Sequence, residues 1–354
     1  MSALRTRDIS PSNGKAFVST KHREILVIGG AGYLGSCLVA ALLASGHRVT
    51  ILDALLYGDD SIRDLYDMHE LTVVEGDFRS ADVLRVAARN ADAIVHLGAL
   101  VGDPACALDE ALARDVNANA TRTVAEVACE LKIQRLVFAS TCSVYGASDE
   151  LLTEESVTAP VSVYAQTKLD SEQLLLGMAQ NGFAPTILRF GTFYGHSRRP
   201  RFDLVVNLLT ANALTKGTIT VFGGTQWRPF LHVADGAAAI AACLEAPIDV
   251  VGGEIFNVGS DEQNHMLGDV AAMIAEIAPE AHVVVQPSDK KEANYRVSFE
   301  KIRTRLGFVP ARGLFDGLTE IKASLEQNVV GDYAEAKYDN AKTLAAGSFG
   351  HSHT

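Results

Sequence analysis

The sequence predicts an α/β protein, a doubly wound parallel sheet followed by a smaller C-terminal lobe. Three observations predict it. Up to about residue 190, short apolar runs rich in β-branched residues alternate with helical stretches, which is the rhythm of βαβ units. The first of these runs opens onto a glycine-rich loop and then an amphipathic segment. Beyond residue 190 the alternation loosens and shorter elements take over.

In chain order, Ile25-Leu26-Val27-Ile28 reads as a strand, and Gly29-Gly30-Ala31-Gly32-Tyr33-Leu34-Gly35 as the turn into a helix with Leu38, Val39, Leu42 and Leu43 on its apolar side. Glycines at Gly29, Gly32 and Gly35 let the backbone turn sharply and approach a ligand with no Cβ in the way. The helix behind them aims unpaired N–H groups and a positive dipole end at that ligand, so a pyrophosphate is the expected occupant, with Tyr33 and Leu34 beside it. The second strand, Arg48 to Leu52, ends in Asp53, at the spacing where a carboxylate accepts hydrogen bonds from the adenine ribose. The same charge repels a 2′-phosphate, and Ala54-Leu55-Leu56 brings no arginine to welcome one. NAD is therefore expected over NADP on a Rossmann-type domain. A third strand, Thr72 to Glu75, leads to Asp77 and Phe78, where Asp77 reads as an adenine contact or a helix N-cap. Further strands follow at Ala93–Leu97, Arg135–Ala139 and Thr186–Phe190.

Ligands on such sheets sit at the carboxyl ends of the strands. Arg135–Ala139 runs into Ser140-Thr141-Cys142-Ser143-Val144-Tyr145-Gly146, and Tyr164-Ala165-Gln166-Thr167-Lys168 opens an amphipathic helix. Tyrosine and lysine four apart share a helical face. A neighbouring ammonium favours the phenolate, and moving a tyrosine from about pH 10 to near 7 takes roughly 4 kcal/mol. Lys168 and the nicotinamide's positive charge are the expected sources. Tyr164 then takes the proton of a substrate alcohol while the carbinol hydride passes to NAD, and Thr141, with Ser140 and Ser143 as competitors, holds the same oxygen.

The formal charge of −12 argues against nucleic acid or an anionic membrane as partner, and no apolar run spans a bilayer. Five dispersed cysteines without a Cys-x-x-Cys pair suit a reducing cytoplasm, not a disulfide framework or a zinc site. The final Gly-Ser-Phe-Gly-His-Ser-His-Thr reads as a flexible end, so no metal is expected. The expected organisation is a flexible tail over 1–22, the NAD-binding domain over 23–190, a ligand lobe over 191–330 with some elements packing back on the first domain, and a C-terminal tail over 331–354.

The chain resembles the extended short-chain dehydrogenases/reductases, in their NAD-dependent nucleotide-sugar epimerase/dehydratase group, over roughly residues 23–330. The marks are the Gly29/Gly32/Gly35 loop, Asp53, Gly76-Asp77, His96-Leu97-Gly98-Ala99, Asn117, Ser140-Thr141-x-x-Val144-Tyr145-Gly146, Tyr164-x-x-x-Lys168 and Trp227 to Val233. The resemblance implies that Leu97, Gly98 and Ala99 line the cofactor cleft, with Ser140 among the cofactor contacts and Asn117 bracing the active-site helix there. It places the nicotinamide between Thr141, Tyr164 and the loop after Phe190. On the substrate side it implies a nucleotide-diphosphate sugar held by Thr141, Ser143, Thr192 (where relatives commonly carry asparagine), Asn207, Arg228 and Arg296. Arg198, Arg199 and Arg201 read as further phosphate ligands or as a solvated loop; guanidinium forks match phosphate oxygens. It also implies a homodimer packed through Tyr164–Gln180 and a long helix near Ala111–Leu131.

Enzymes of this group begin by oxidising a sugar carbon, usually C4. The resemblance implies that 4,6-dehydratases follow the catalytic threonine with Asp-Glu, and that decarboxylating relatives carry a glutamate nearby. Here Cys142-Ser143 stands in that place, as acid/base groups on neighbouring carbons or as plain packing. The expected reaction is 4-epimerisation by oxidation and return of the hydride. The alternatives are a net dehydrogenase or keto-reductase and, against the intact Thr141, Tyr164 and Lys168, a non-catalytic NAD-binding scaffold.

Overall fold

Strand β1 (Glu24–Ile28) is buried from Ile25 onward, and that two-sided burial is why its sequence is continuously apolar instead of alternating. Together with β2 (Arg48–Asp53), β3 (Leu71–Glu75), β4 (Ala93–His96), β5 (Arg135–Thr141), β6 (Ala184–Phe190) and β7 (Ile255–Val258) it forms a seven-stranded sheet in the order β7-β6-β5-β4-β1-β2-β3. Every pairing in the sheet is parallel. The order reverses between β1 and β4, which opens the crevice where doubly wound sheets take their ligands. The computed structural model describes residues 22–179, 182–288 and 294–347. Almost all of the expected N-terminal tail, Gln180 and the last residues of the chain lie outside the described residues.

Helix α1 (Tyr33–Ala44) follows the glycine loop, and α2 (Ala81–Ala88) is capped by Ser80. Short helices α3 (Asp103–Leu108) and α4 (Glu110–Arg114) lead through one π-helical turn, Asp115–Asn119, into α5 (Ala120–Glu130). The expected long helix is thus present with a π insertion. Helix α6 (Val163–Gly177), capped by Ser162, carries Tyr164 and Lys168.

The second lobe contains α7 (Val205–Lys216) and small sheets, in which strand Trp227–His232 pairs with Thr192–Tyr194 and Asn264–Met266. Its core is Tyr194, Phe230, Val270, Ile274 and Leu318 among others. Strand β7 joins the edge of the main sheet beside β6, and α8 (Val233–Glu245) contributes Ile240 and Leu244 to the same core as α1. Both elements come from beyond residue 190 yet complete the first domain, because β6 and α1 each have an apolar side to cover.

The expected C-terminal tail over 331–354 is not a tail as far as residue 347. Tyr333, Tyr338, Asn340 and Thr343 are buried. Tyr333 and Tyr338 close on the Phe202 ring at 5.5 and 5.8 Å between centroids. Helix Asn340–Ala345 is capped by the Asp339 carboxylate, which accepts from the Lys342 N–H at 3.1 Å. The aromatic anchors are the physical reason: two tyrosines with a phenylalanine to pack on bury enough apolar surface to order the segment. Among the described residues no helix is long and apolar enough to cross a membrane, and no cluster of side chains could hold a metal ion.

Candidate active site

A cavity of about 640 Å³ opens at the carboxyl ends of β1 to β5. Gly29, Gly32, Tyr33, Leu34, Gly35, Asp53, Asp77, Phe78, Leu97, Gly98, Ala99, Ser140, Tyr164 and Lys168 all line it. The glycines are required sterically. Gly29 has φ +83°, and a Cβ on it would stand 2.8 Å from the Gly98 nitrogen. A Cβ on Gly35 would stand 2.1 Å from the Gly29 carbonyl oxygen. Gly32 caps α1 with no side-chain bond and no acidic residue follows in the first turn, so the helix end stays open and positive toward the cleft.

Asp53 is held by the backbone: its two carboxylate oxygens accept from the Ala31 and Leu55 N–H groups at 3.0 and 2.9 Å. Burial raises its pKa, and those two bonds work in the opposite direction. The remaining lone pairs face the cleft and suit ribose hydroxyls. Asp77 accepts from the Arg79 backbone and guanidinium at 2.8 Å, and Arg79 reaches on to Asp115 at 3.0 Å.

Thr141 ends β5. Its Oγ1 accepts from the Ser143 N–H and donates to the Ser143 hydroxyl, both at 3.1 Å. Ser140 donates to the buried Glu172 carboxylate, which pairs with Arg189 on β6 at 2.6 Å. That pair ties α6 to the strands beneath it. Lys168 is buried, its ammonium donates to the Ala139 carbonyl at 2.9 Å and lies 4.7 Å from the Phe138 ring, and burial lowers it to about 8.

The expectation that Lys168 pulls Tyr164 toward the phenolate differs from the structure. Burial raises Tyr164 well above its ordinary range, and Cys106 and Asp103 add to that. The lysine is turned to the Ala139 carbonyl instead. The Arg201 charge works in the opposite direction and is outweighed by burial.

The family model for the NAD dependent epimerase/dehydratase family matches residues 25–259. A dTDP-glucose 4,6-dehydratase of Streptomyces niveus is 30% identical over 310 residues, 84% of this chain and 91% of that protein. A Bacillus subtilis protein described as an uncharacterized UDP-glucose epimerase is 31% identical over 330 residues, 87% of this chain and all of that protein. The chain belongs to the NAD-dependent epimerase/dehydratase family. Its fold superposes on a UDP-glucuronic acid 4-epimerase from Bacillus cereus, crystallised with UDP-glucuronic acid and NAD, with a TM-score of 0.79 at 27% identity, over 86% of this chain and 99% of that one. The protein is accordingly an NAD-dependent enzyme of this family. The donors, acceptors and open helix end of the cleft fit that dinucleotide.

Asn117 takes the bracing position that the resemblance implies and does not itself line the cleft: it exchanges hydrogen bonds with the Leu100 backbone at 2.8 and 3.0 Å and donates to Thr167 at 3.1 Å. It is a brace between the β4 loop and α6, and its amide is used up in that role. Asn207 is likewise a brace rather than a substrate contact. Its Oδ1 accepts from the Gly195 N–H at 3.0 Å, and its Nδ2 donates to the Arg201 carbonyl at 2.9 Å and lies 3.4 Å from the Tyr33 hydroxyl. Arg296 is exposed, donates to the Asp149 carbonyl at 3.2 Å and lies over the Trp227 ring.

The residue beside it was missed by sequence reasoning. Tyr295 is buried, its hydroxyl faces Ser143, and the Arg228 guanidinium lies 5.3 Å from its ring centroid. Neighbours in an extended segment point to opposite faces, so an outward Arg296 sends Tyr295 inward. Thr192 lies half-buried in a strand paired with Phe230. Cys142 is fully buried, its thiol donates to the Arg189 carbonyl at 3.3 Å, and burial pushes it far up. It is a packing residue.

The three arginines after Gly195 divide. Arg198 donates to the Ser61 carbonyl at 2.8 Å and pairs with Asp64, tying the lobe to the first domain. Arg201 pairs with Asp203 at 2.8 Å, and Arg199 lies 3.8 Å from the Tyr57 ring centroid. Both line the cofactor cavity. Burial and the neighbouring Arg201 lower Arg199 to about 10, and its Nε has no hydrogen-bond partner among the described residues. A buried cation with a donor to spare is suited to an anion. The sequence around Asp53 held no arginine; the fold brings this one from across the cleft.

Proposed function

We propose that the protein is a nucleotide-sugar 4-epimerase. The carrying observation is the pair after Thr141: Cys142 is sealed in the core with a raised thiol, and Ser143 offers only a hydroxyl. Neither can remove or deliver a proton at a carbon beside a C4 ketone as a carboxylate pair would, so elimination and decarboxylation lack their acid. The Gly29–Gly35 loop and Asp53 would hold NAD, which would supply the hydride acceptor. Tyr164 takes the C4 hydroxyl proton and gives it back, while Thr141 donates to the same oxygen. Lys168 places its positive charge beneath the site from its seat on Ala139. Arg228, Ser143 and Thr192 hold the nucleotide diphosphate and sugar, and Tyr295 closes the pocket over Ser143.

The relatives described as acting on UDP-glucose, and the neighbour crystallised with UDP-glucuronic acid, support a uridine nucleotide as the first substrate class to test. The purified protein with NAD is incubated with UDP-, GDP-, CDP- and dTDP-hexoses and the products read by NMR. Interconversion of C4 epimers without NADH build-up is expected, and Tyr164→Phe abolishes it while leaving NAD bound. A keto-sugar formed one-for-one with NADH makes the protein a net dehydrogenase, and loss of water at C6 makes it a dehydratase.

A further inference from the structure

Residues 331–347 cross the cofactor cleft from one wall to the other. On one side they are fastened to the loop after Gly195: the Phe202 N–H donates to the Tyr338 carbonyl at 2.9 Å, Arg199 to the Lys337 carbonyl at 3.3 Å, and the Asn340 N–H to Asp203 at 3.2 Å. On the other side they reach the segment after β4. The Asn340 Nδ2 donates to the Val101 carbonyl at 3.2 Å, and Leu344 packs against the cluster of Leu100, Cys106, Ala113 and Val116. The family match ends at residue 259, before this segment begins.

Asn340 itself lines the cofactor cavity and is 4% exposed. The Val101 carbonyl can only accept, which fixes the amide with Nδ2 toward it and Oδ1 away. That Oδ1 is buried and has no hydrogen-bond partner among the described residues. A buried acceptor left unpaired is costly and calls for an explanation. Arg199, bonded to the same segment and on the same cavity wall, carries an unpartnered buried Nε. One orphan is an acceptor and the other a donor. A dinucleotide presents the matching pair side by side, a ribose hydroxyl that donates and a phosphate oxygen that accepts.

We infer that residues 331–347 are a strap closed over the cofactor, and that Asn340 is a ligand of the bound dinucleotide through a ribose hydroxyl. The strap has to lift for NAD to enter or leave. The inference rests on NAD binding and not on which sugar reaction follows, and its test reads the cofactor alone.

Full-length protein is loaded with NADH and chased with excess NAD, and release is followed by nicotinamide fluorescence. Asn340→Ala is expected to speed release by at least ~3-fold, the loss of about one neutral hydrogen bond. Hydrogen–deuterium exchange of the unmodified protein gives an independent reading: amides of 336–346 are expected to slow when NAD is added. If Asn340 only shapes the segment, Asn340→Ala lowers the melting temperature of the NAD-free and NAD-bound protein alike with a smaller change in release. That result, or exchange in 336–346 indifferent to NAD, overturns the inference.

Discussion

Replacing Glu172 by glutamine tests what holds helix α6 in place. Glu172 lies one helical turn beyond Lys168 and two beyond Tyr164, so the three share a face of α6. Its carboxylate accepts from Arg189 at 2.6 and 3.1 Å and from Ser140, with Glu172 at 1% exposure and Arg189 at 3%. Glutamine keeps the volume and leaves no cavity, but the Arg189 charge then has no counterion in the interior. Breaking a buried pair in this way costs about 3–5 kcal/mol. At roughly 2.1 cal/mol/K per residue of unfolding entropy, a chain of 354 residues loses about 0.7 kcal/mol per degree. The melting temperature should therefore fall by about 4–7 °C, measured by calorimetry with saturating NAD. Turnover should fall with it, because Ser140 and Lys168 line the cleft on the strand and helix that the pair joins. A melting temperature within about 1 °C of the parent would refute the anchoring role.

Three further outcomes follow from the geometry. Gly35→Ala puts a Cβ 2.1 Å from the Gly29 carbonyl oxygen, and an overpacking cost of about 1–3 kcal/mol borne by the loop weakens NAD about 10–100-fold by titration calorimetry; unchanged affinity would show that the loop does not set binding. Lys168 has a folded value of about 8 against 10.5, so between those values the unfolded chain binds more protons and stability rises with pH, by about 3 kcal/mol in all. Urea unfolding of the parent against Lys168→Met should show that gain from pH 8 upward, and parallel pH profiles would contradict it. Asn207→Ala strips partners from Gly195, Arg201 and Tyr33, at about 1–3 kcal/mol for each buried group left unpaired, and so lowers thermal stability. A rise in sugar-nucleotide KM with no loss of stability would make Asn207 a ligand after all.

Local chemistry was legible wherever it depended on short-range constraints. The glycine loop, Asp53 and the Tyr164–Lys168 spacing each state a backbone or one-turn requirement, and each lines the cleft. Asn207 was misread because an amide that braces a loop and an amide that binds a ligand look alike in a sequence. Only the neighbours that occupy Oδ1 and Nδ2 separate the two roles. Tyr295 was overlooked for its charged neighbour Arg296, although strand alternation made them exclusive candidates for the inward position.

By itself the sequence determined the parallel α/β architecture, the cofactor class and the shared helical face of Tyr164 and Lys168, because periodicity, glycine sterics and one-turn spacing act within a few residues. Only the tertiary structure decided that Arg199 comes back to the cofactor cleft, that Cys142 is sealed in the core, that Lys168 sits on the Ala139 carbonyl and that the segment after residue 331 brings Asn340 to the cavity wall. Each of those depends on contacts between segments distant in the chain, where burial and unpaired hydrogen-bonding groups are set by what packs opposite and not by the local residue pattern.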